Sequence, residues 1–143
     1  MRFWARALVI AALLPGFSAA AQNMPSPPDA ELMIIWPPDG QVIRGGKLWV
    51  RMGLKGMGIA PAGINMEGTG HHHFLIDTDL PPLDEPIPAD ANHIHFGAGQ
   101  TEARLTDLEP GEHTLQLMLG DHEHYPHVPP VVSKKITINV LPY

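Results

Sequence analysis

The sequence predicts an all-β protein, an antiparallel β-sandwich of immunoglobulin-like type with six or seven short strands. Pro and Gly together number 30 of the 143 residues. Beyond residue 21 they leave no uninterrupted stretch longer than the eleven residues of 131–141. Because an average helix is about 11–12 residues long, a helical core has almost nowhere to form. Apolar residues instead recur at every second position, the period of a strand with one buried face.

Six segments carry this strand pattern. In chain order they are 32–36, 48–54, 72–76, 92–96, 115–119 and 136–140. The first is a short apolar run closed by the turn-forming residues Pro37–Gly40. In the second, Leu48, Val50 and Met52 share one face, and Trp49 falls on the opposite, outward face. Turn-forming residues separate the segments, as a sandwich requires.

The first 21 residues have the order of a secretory signal peptide. Arg2 and Arg6 supply a positive amino-terminal region, residues 7–14 are apolar, and Ala19–Ala21 form a small-residue cleavage site. The apolar region is too short to span a bilayer. We therefore expect export, cleavage near Ala21, a periplasmic or secreted mature chain, and no stable membrane insertion after cleavage.

The mature chain is predicted to form one β-sandwich domain, residues 31–143, preceded by a flexible Pro-rich arm, residues 22–30. Removal of the signal peptide leaves 7 basic and 15 acidic residues, a net charge of −8. Such an acidic chain lacks the basic surface that nucleic-acid binding needs. The absence of Cys excludes disulfide scaffolds, iron–sulfur clusters and thiol enzymes.

The histidines are the residues of this sequence that indicate a chemical function. All nine lie between residues 71 and 127, in three clusters and one isolated position, His113. Side chains two residues apart on a strand share a face. The spacing therefore predicts three same-face pairs: His71 with His73, His93 with His95, and His122 with His124. Imidazole is a common ligand of Zn and Cu. The residues predicted to bind the metal are His71, His73, His95, His122, His124 and His127.

Other interpretations stay open for these residues. Histidines beside Gly- and Pro-rich loops also hydrogen-bond backbone groups, and the clusters would then be structural. His113, isolated in the sequence, and His72, on an apolar face, are expected to be structural. Met57 and Met66 precede the first cluster; thioethers select Cu(I) and would favour copper, although packing is their alternative role. Because the ligands are neutral imidazoles, binding is expected to weaken as the pH falls through about 6.5.

Five motifs follow one another between Gly56 and Val140: GMGIAPAG, GHHHFLID, HIHFGAGQTEARL, LEPGEHTLQLMLGDHEHYPHVPP and VVSKKITINV. Together they resemble a bacterial family of small exported domains of unknown function. The resemblance covers most of the mature chain and implies a signal peptide and one compact, all-β domain. It implies no reaction and no ligand. The positions that belong to these motifs include His71, His72, His73, His95, Gly99, Gln100, Thr101, Glu102, His113, Asp121, His122, His124, His127, Pro129 and Pro130.

The predicted function is binding of a transition metal, copper or zinc, by an exported His-rich β-sandwich, for storage, delivery or protection. The alternative is a non-enzymatic module that binds a periplasmic protein or a glycan, with structural histidines and Trp49 as a contact residue. A metal hydrolase or copper redox enzyme would need a general base such as Glu102 or Glu123. The sequence contains no complete catalytic motif, which favours the non-enzymatic hypotheses.

Overall fold

Nine strands form in the part of the chain, residues 23–143, that the computed structural model describes. They are β1 (Glu31–Trp36), β2 (Gln41–Arg44), β3 (Leu48–Lys55), β4 (Gly58–Ile59), β5 (Thr69–Ile76), β6 (His93–His95), β7 (Glu102–Leu105), β8 (Gly111–Gly120) and β9 (Ile136–Leu141). The predicted signal peptide, residues 1–21, lies outside the described residues. Residues 23–143 contain no helix long and apolar enough to cross a membrane.

The strands form two sheets. The smaller sheet has the order β1-β3-β7, and the larger has the order β2-β9-β8-β5-β4, with β6 also paired to β5. Pairing is antiparallel except for β2 with β9 and β4 with β5. This arrangement confirms the predicted all-β, immunoglobulin-like sandwich. All six predicted strands are present, whereas β2, β4 and β7 were not predicted because segments of two to four residues show little alternation.

Apolar side chains from the two sheets meet in one main core. Val50 and Met52 of β3 belong to the same buried cluster as Phe74 of β5 and Leu117 of β8. Trp49, between the two β3 core residues, is exposed, as the alternation predicts. Since the chain has no disulfide, this burial of apolar surface supplies the main stabilisation of the sandwich.

The two central strands of the larger sheet are buried on both faces. Leu75 of β5 and Met118 of β8 lie on the face away from the main core, where they pack with Ile87 and Val132. Ile87 belongs to the Pro-rich loop 81–91, so this connection and the one between β8 and β9 form a third layer. The period-two pattern predicted one outward face for β8, but Met118 is fully buried because these connections cover it.

Residues 23–30, predicted to be a flexible arm, make hydrogen bonds to the connection between β8 and β9. The backbone N–H of Ser26 donates to the carbonyl oxygen of Val128, and the Val128 N–H donates to the carbonyl oxygen of Met24. The side-chain amide of Asn23 donates to two further backbone carbonyls. These contacts hold the segment against the domain.

An ion pair joins the end of β5 to the beginning of β8. The Asp77 carboxylate accepts the backbone N–H of Thr114 at 2.8 Å and lies 2.6 Å from Nδ1 of His113. The Nε2 atom of His113 lies 2.8 Å from the carbonyl oxygen of Glu109. Both partners of the ring are acceptors, so only the doubly protonated imidazole can donate to both. His113 therefore has the structural role that the sequence predicted.

These contacts change the pKa of His113. Burial lowers the pKa, but the hydrogen bonds to the Glu109 carbonyl and the Asp77 carboxylate outweigh that effect, so the pKa is raised above 6.5. A raised pKa in the folded state contributes stability that is complete below the unfolded-state pKa of about 6.5. This contribution is lost as the pH rises through the folded-state pKa.

The Asp77→Asn variant tests this ion pair. The amide can still accept the Thr114 N–H but does not stabilise the imidazolium, so we expect a loss of about 1 kcal/mol of stability near pH 5.5. The loss should shrink towards pH 9, where the wild-type ring is neutral as well. Urea unfolding of both proteins across this range, with an NMR titration of His113, measures the effect. A wild-type His113 titration midpoint at or below 6.5 would contradict the assignment.

Candidate metal centre

Four imidazole rings from three segments of the chain lie together on the outer face of the larger sheet. The Nε2 atoms of His71 and His73 are 3.0 Å apart, and those of His95 and His124 are 3.2 Å apart. The ring centroids of the four residues are 4.7–5.8 Å apart. One ring nitrogen from each of His71, His73 and His95 lies within 4.8 Å of the other two. These four residues are the His cluster.

Strand β5 supplies two of the four rings. His71 and His73 alternate with His72 along the strand, so they share the face opposite the main core. Both side chains are fully buried. On the neighbouring strand β8, Gly120 is paired with His71. A Cβ atom at Gly120 would lie 2.8 Å from Nε2 of His73, so the His73 ring occupies space that only glycine leaves open.

The short strand β6 brings His95 beside His73, its direct partner in the antiparallel pairing with β5. The turn before β6 is fixed by Asp90, whose Oδ1 atom accepts two backbone N–H groups at 2.8 and 2.9 Å. The ring of His95 folds over Gly97, where a Cβ atom would overlap it. The position of His95 therefore depends on both the strand pairing and the missing side chain at Gly97.

The fourth ring comes from a tight turn after β8. Oδ1 of Asp121 accepts the backbone N–H groups of Glu123 and Tyr125, both at 2.9 Å. The His124 N–H donates to the carbonyl oxygen of Asp121 at 3.0 Å. His124 has a φ of 73°, in the left-handed region that residues other than glycine rarely adopt. The turn, rather than a strand, directs this ring into the His cluster.

Two separations between ring nitrogens are close to that between neighbouring ligands of a metal ion. Zn–N bonds of about 2.0–2.1 Å at tetrahedral angles place ligand nitrogens roughly 3.3 Å apart. The His71–His73 and His95–His124 separations of 3.0 and 3.2 Å are close to this value. Imidazole nitrogens are suitable ligands for Zn and Cu, and the group of His71, His73 and His95 could hold a metal ion.

Two buried nitrogen atoms of the His cluster make no hydrogen bond within the described residues. They are the Nδ1 atoms of His71 and His73. A buried polar atom without a partner costs about 1–3 kcal/mol. Apolar side chains in the same place would avoid this cost, so packing alone does not account for these rings.

The electrostatics of the site keep its buried rings neutral. Burial, reinforced by the other imidazoles of the cluster, lowers the pKa of His73 to about 2 and that of His71 to about 4. Burial and the neighbouring His124 also lower the pKa of His95. Near pH 7 the two buried rings therefore bind no extra proton. Their nitrogen lone pairs are available to a metal without the release of an imidazolium proton.

Of the six residues predicted as ligands, four lie together in the structure and two lie apart from them. The four that lie together are His71, His73, His95 and His124. His122 lies in the turn that presents His124, so the same-face pairing that a strand would give does not apply to it. The buried ring of His127 has its nitrogens 3.1 Å from the Thr69 carbonyl oxygen and 3.4 Å from that of Leu119. The segments that carry these four rings converge on the outer face of the larger sheet.

Three other predicted roles are clear from the structure. His72 is buried, and its Nδ1 lies 3.0 Å from the carbonyl oxygen of Gln100, the structural contact expected for it. Met57 packs against the main core, and Met66 is exposed. Neither thioether belongs to the His cluster, which consists of imidazole rings alone.

Three residues that support the His cluster were not predicted from the sequence: Asp90, Gly97 and Gly120. Gly97 follows the His93–His95 motif by two residues, and Gly120 directly precedes the motif of Asp121–His124. Small residues next to His motifs were the available signal for the two glycines. No spacing rule points to Asp90, because its role depends on the turn before β6.

The sequence and the fold can be compared with those of known proteins. A family model described as a domain of unknown function (DUF4399) matches residues 50–141, which include the whole His cluster. No curated protein matches the sequence. Among solved structures, the chain is similar to the solution structure of the PKD domain from human KIAA0319. That similarity has 11% sequence identity and a TM-score of 0.41, and it covers 87% of this chain and 89% of that chain.

Replacement of Gly97 by Ala is expected to displace His95 from the His cluster. The added Cβ would overlap the ring, which is partly exposed and can swing outward, so we expect only about 1 kcal/mol of destabilisation. Proton NMR contacts between the His95 and His124 rings should disappear. Gly58→Ala is the matched control, because its Cβ would make an ordinary 3.4 Å contact with the Thr69 methyl group. Ring contacts that persist in Gly97→Ala would contradict this geometry.

Proposed function

The chain belongs to the DUF4399 family of domains of unknown function, and we propose that it is an exported protein that binds a transition metal. The proposed ligands are the four residues of the His cluster. Such a protein would store the ion, deliver it to a periplasmic partner protein or protect the cell from it. Export rests on the predicted signal peptide.

The convergence of four imidazoles is the observation that supports this proposal. Their segments are separate in the sequence, and each has its own support: glycine for His73 and His95, and the Asp121 turn for His124. A structural histidine usually bonds a backbone carbonyl, as His72 and His127 do. The rings of the His cluster instead contact one another in two pairs through Nε2 atoms, which supports a cation shared between them.

The ligand set restricts the choice of metal. Imidazole nitrogens suit both Zn²⁺ and Cu²⁺, and the Irving–Williams order gives Cu²⁺ the higher affinity at a given nitrogen site. The sequence-based preference for copper relied on Met57 and Met66, which lie outside the His cluster. We therefore propose Cu²⁺ or Zn²⁺ as the ligand, with availability in the compartment selecting between them.

The exposure of the four rings indicates how the ion would enter. His71 and His73 are fully buried, whereas His95 and His124 are partly exposed. An ion would therefore arrive between β6 and the turn after β8 and contact His95 and His124 first. The net charge of −8 calculated for the mature chain favours the approach of a cation.

Alanine variants of the two partly exposed ligands test the proposal. We expect the purified protein to bind one Zn²⁺ or one Cu²⁺ in competition with a chromogenic chelator. His95→Ala and His124→Ala should each weaken binding at least about 100-fold, because removal of a ligand costs more than removal of an outer-shell partner. Circular dichroism of each variant establishes that it folds.

Each ligand has a matched control close by in the sequence. His93→Ala changes the same short strand as His95→Ala, and His122→Ala changes the same turn as His124→Ala. Both controls should bind the metals within about threefold of the wild type. Equal affinity in all four variants, or an equal loss in controls and ligand variants, would contradict the proposed ligand set.

Metal retention at low pH is a second test. Burial lowers the pKa of His71 to about 4 and that of His73 to about 2, so protons compete poorly for these ligands near pH 6.5. We therefore expect metal release with a midpoint below about pH 6, which is lower than the unperturbed imidazole pKa of about 6.5. Equilibrium dialysis with elemental analysis measures the retained metal, and circular dichroism at each pH separates release from unfolding.

Protein stability should fall over the same acidic range. A lowered folded-state pKa contributes stability that is present above the unfolded-state pKa and is lost as the pH falls through the folded-state value. The metal-free protein should therefore lose stability below about pH 6.5. Metal release from the folded protein with a midpoint at or above pH 6.5 would contradict the assignment of neutral, buried imidazoles as ligands.

A further inference from the structure

A groove on the outer face of the smaller sheet is lined by two tryptophans and an ion pair. Trp36, Trp49, Arg51 and Glu102 line a cavity of about 380 Å³. This volume is within the roughly 300–1,000 Å³ that small-molecule sites occupy in proteins. The groove belongs to the smaller sheet and the His cluster to the larger one, so its function does not depend on the proposed metal site.

The strand register brings these four side chains together. Arg51 of β3 is paired with Trp36 on β1 and with Glu102 on β7. An irregularity in β1 between Ile34 and Trp36 shifts the register and gives Trp36 this partner. Trp49 lies two residues before Arg51 and therefore on the same outward face. The result is a row of aromatic, cationic and anionic groups across three strands.

The two indoles are unusual surface groups in this chain. Trp36 is 42% exposed and Trp49 is 57% exposed. An indole has a large apolar face with negative potential, which attracts polarised C–H groups as well as apolar surface. These are the groups that the flat face of a sugar ring presents. Two such faces bordering one groove favour a ligand with an apolar side and a polar rim.

The ion pair supplies the polar part of the groove. Arg51 Nε lies 3.6 Å from Glu102 Oε2, and both side chains are more than half exposed. An exposed ion pair contributes little to stability, so a ligand can open it at small cost. The guanidinium offers donors and the carboxylate offers acceptors, so together they match vicinal hydroxyl groups. Within the lining of the groove these two charges cancel, which favours a neutral ligand there; Arg104, the partner of Trp49 on the same face, lies outside this lining.

We infer that this groove binds a neutral oligosaccharide. Sugar rings stack on Trp36 and Trp49, and their hydroxyl groups bond to Arg51 and Glu102. An apolar peptide segment fits less well, because it would bury both charges without new hydrogen bonds. An anionic ligand would meet the Glu102 carboxylate at short range.

Calorimetric titration of the purified mature chain tests the inference. The probes are neutral hexasaccharides of glucose, mannose and N-acetylglucosamine in α and β linkages, with polygalacturonate and a proline-rich peptide as competing classes. We expect saturable binding of at least one neutral hexasaccharide. Trp36→Ala and Trp49→Ala should each weaken it at least about tenfold, and Arg51→Gln combined with Glu102→Gln should do the same.

Two controls separate this groove from the rest of the molecule. Val42→Ala removes another exposed apolar side chain, on the larger sheet, and should leave sugar binding unchanged. His95→Ala should also leave it unchanged, which distinguishes this inference from the metal proposal. No binding of any neutral hexasaccharide would overturn the inference, as would binding only of polygalacturonate or the peptide, or binding that both Trp variants retain.

Discussion

Burial of β5 on both faces is the constraint on which the rest of the structure depends. One face carries His72 and Phe74 into the main core, and the other carries His71 and His73. A charged imidazole buried there would be costly, so burial depresses the pKa of both outer rings and keeps them neutral. The outer face is also covered, and the connection between β8 and β9, which helps to cover it, supplies His124. Ile87 illustrates this coupling, since its N–H donates to the carbonyl oxygen of His124 at 2.8 Å.

Two carboxylates beside the His cluster position the backbone that carries its rings. Asp90 fixes the turn before β6, and Asp121 fixes the turn that presents His124. Two glycines also support the cluster, because Gly97 and Gly120 leave space for imidazole rings beside the backbone. Rings held by such turns would need little reordering to bind the proposed ion, and this would preserve affinity that flexible loops would lose. The core between the sheets carries the stability of the fold, so the outer face of the larger sheet is free to hold polar groups.

Local periodicity in the sequence was enough to predict the sandwich and the shared face of His71 and His73, and the six predicted ligands also included His95 and His124. The alternation in 48–54 identified β3 and its outward Trp49, and the spacing of His71 and His73 gave their shared face. The rule that residues two apart share a face does not apply to His122 and His124, because the rule assumes a strand and Asp121 stabilises a turn at this position. The partnership of His95 with His124 depends on contacts between distant segments, which one sequence does not reveal. Burial of Met118 was missed for the same reason: the covering loop is remote in the chain.

X-ray absorption spectroscopy of the zinc-loaded protein tests the central claim most directly. Four imidazoles of the His cluster predict a coordination shell of four nitrogens at about 2.0–2.1 Å, with the multiple-scattering pattern of imidazole rings. The shell should lose one imidazole in His124→Ala and should be unchanged in His122→Ala. A shell dominated by oxygen at longer distances, or one with sulfur from methionine, would contradict the site described here.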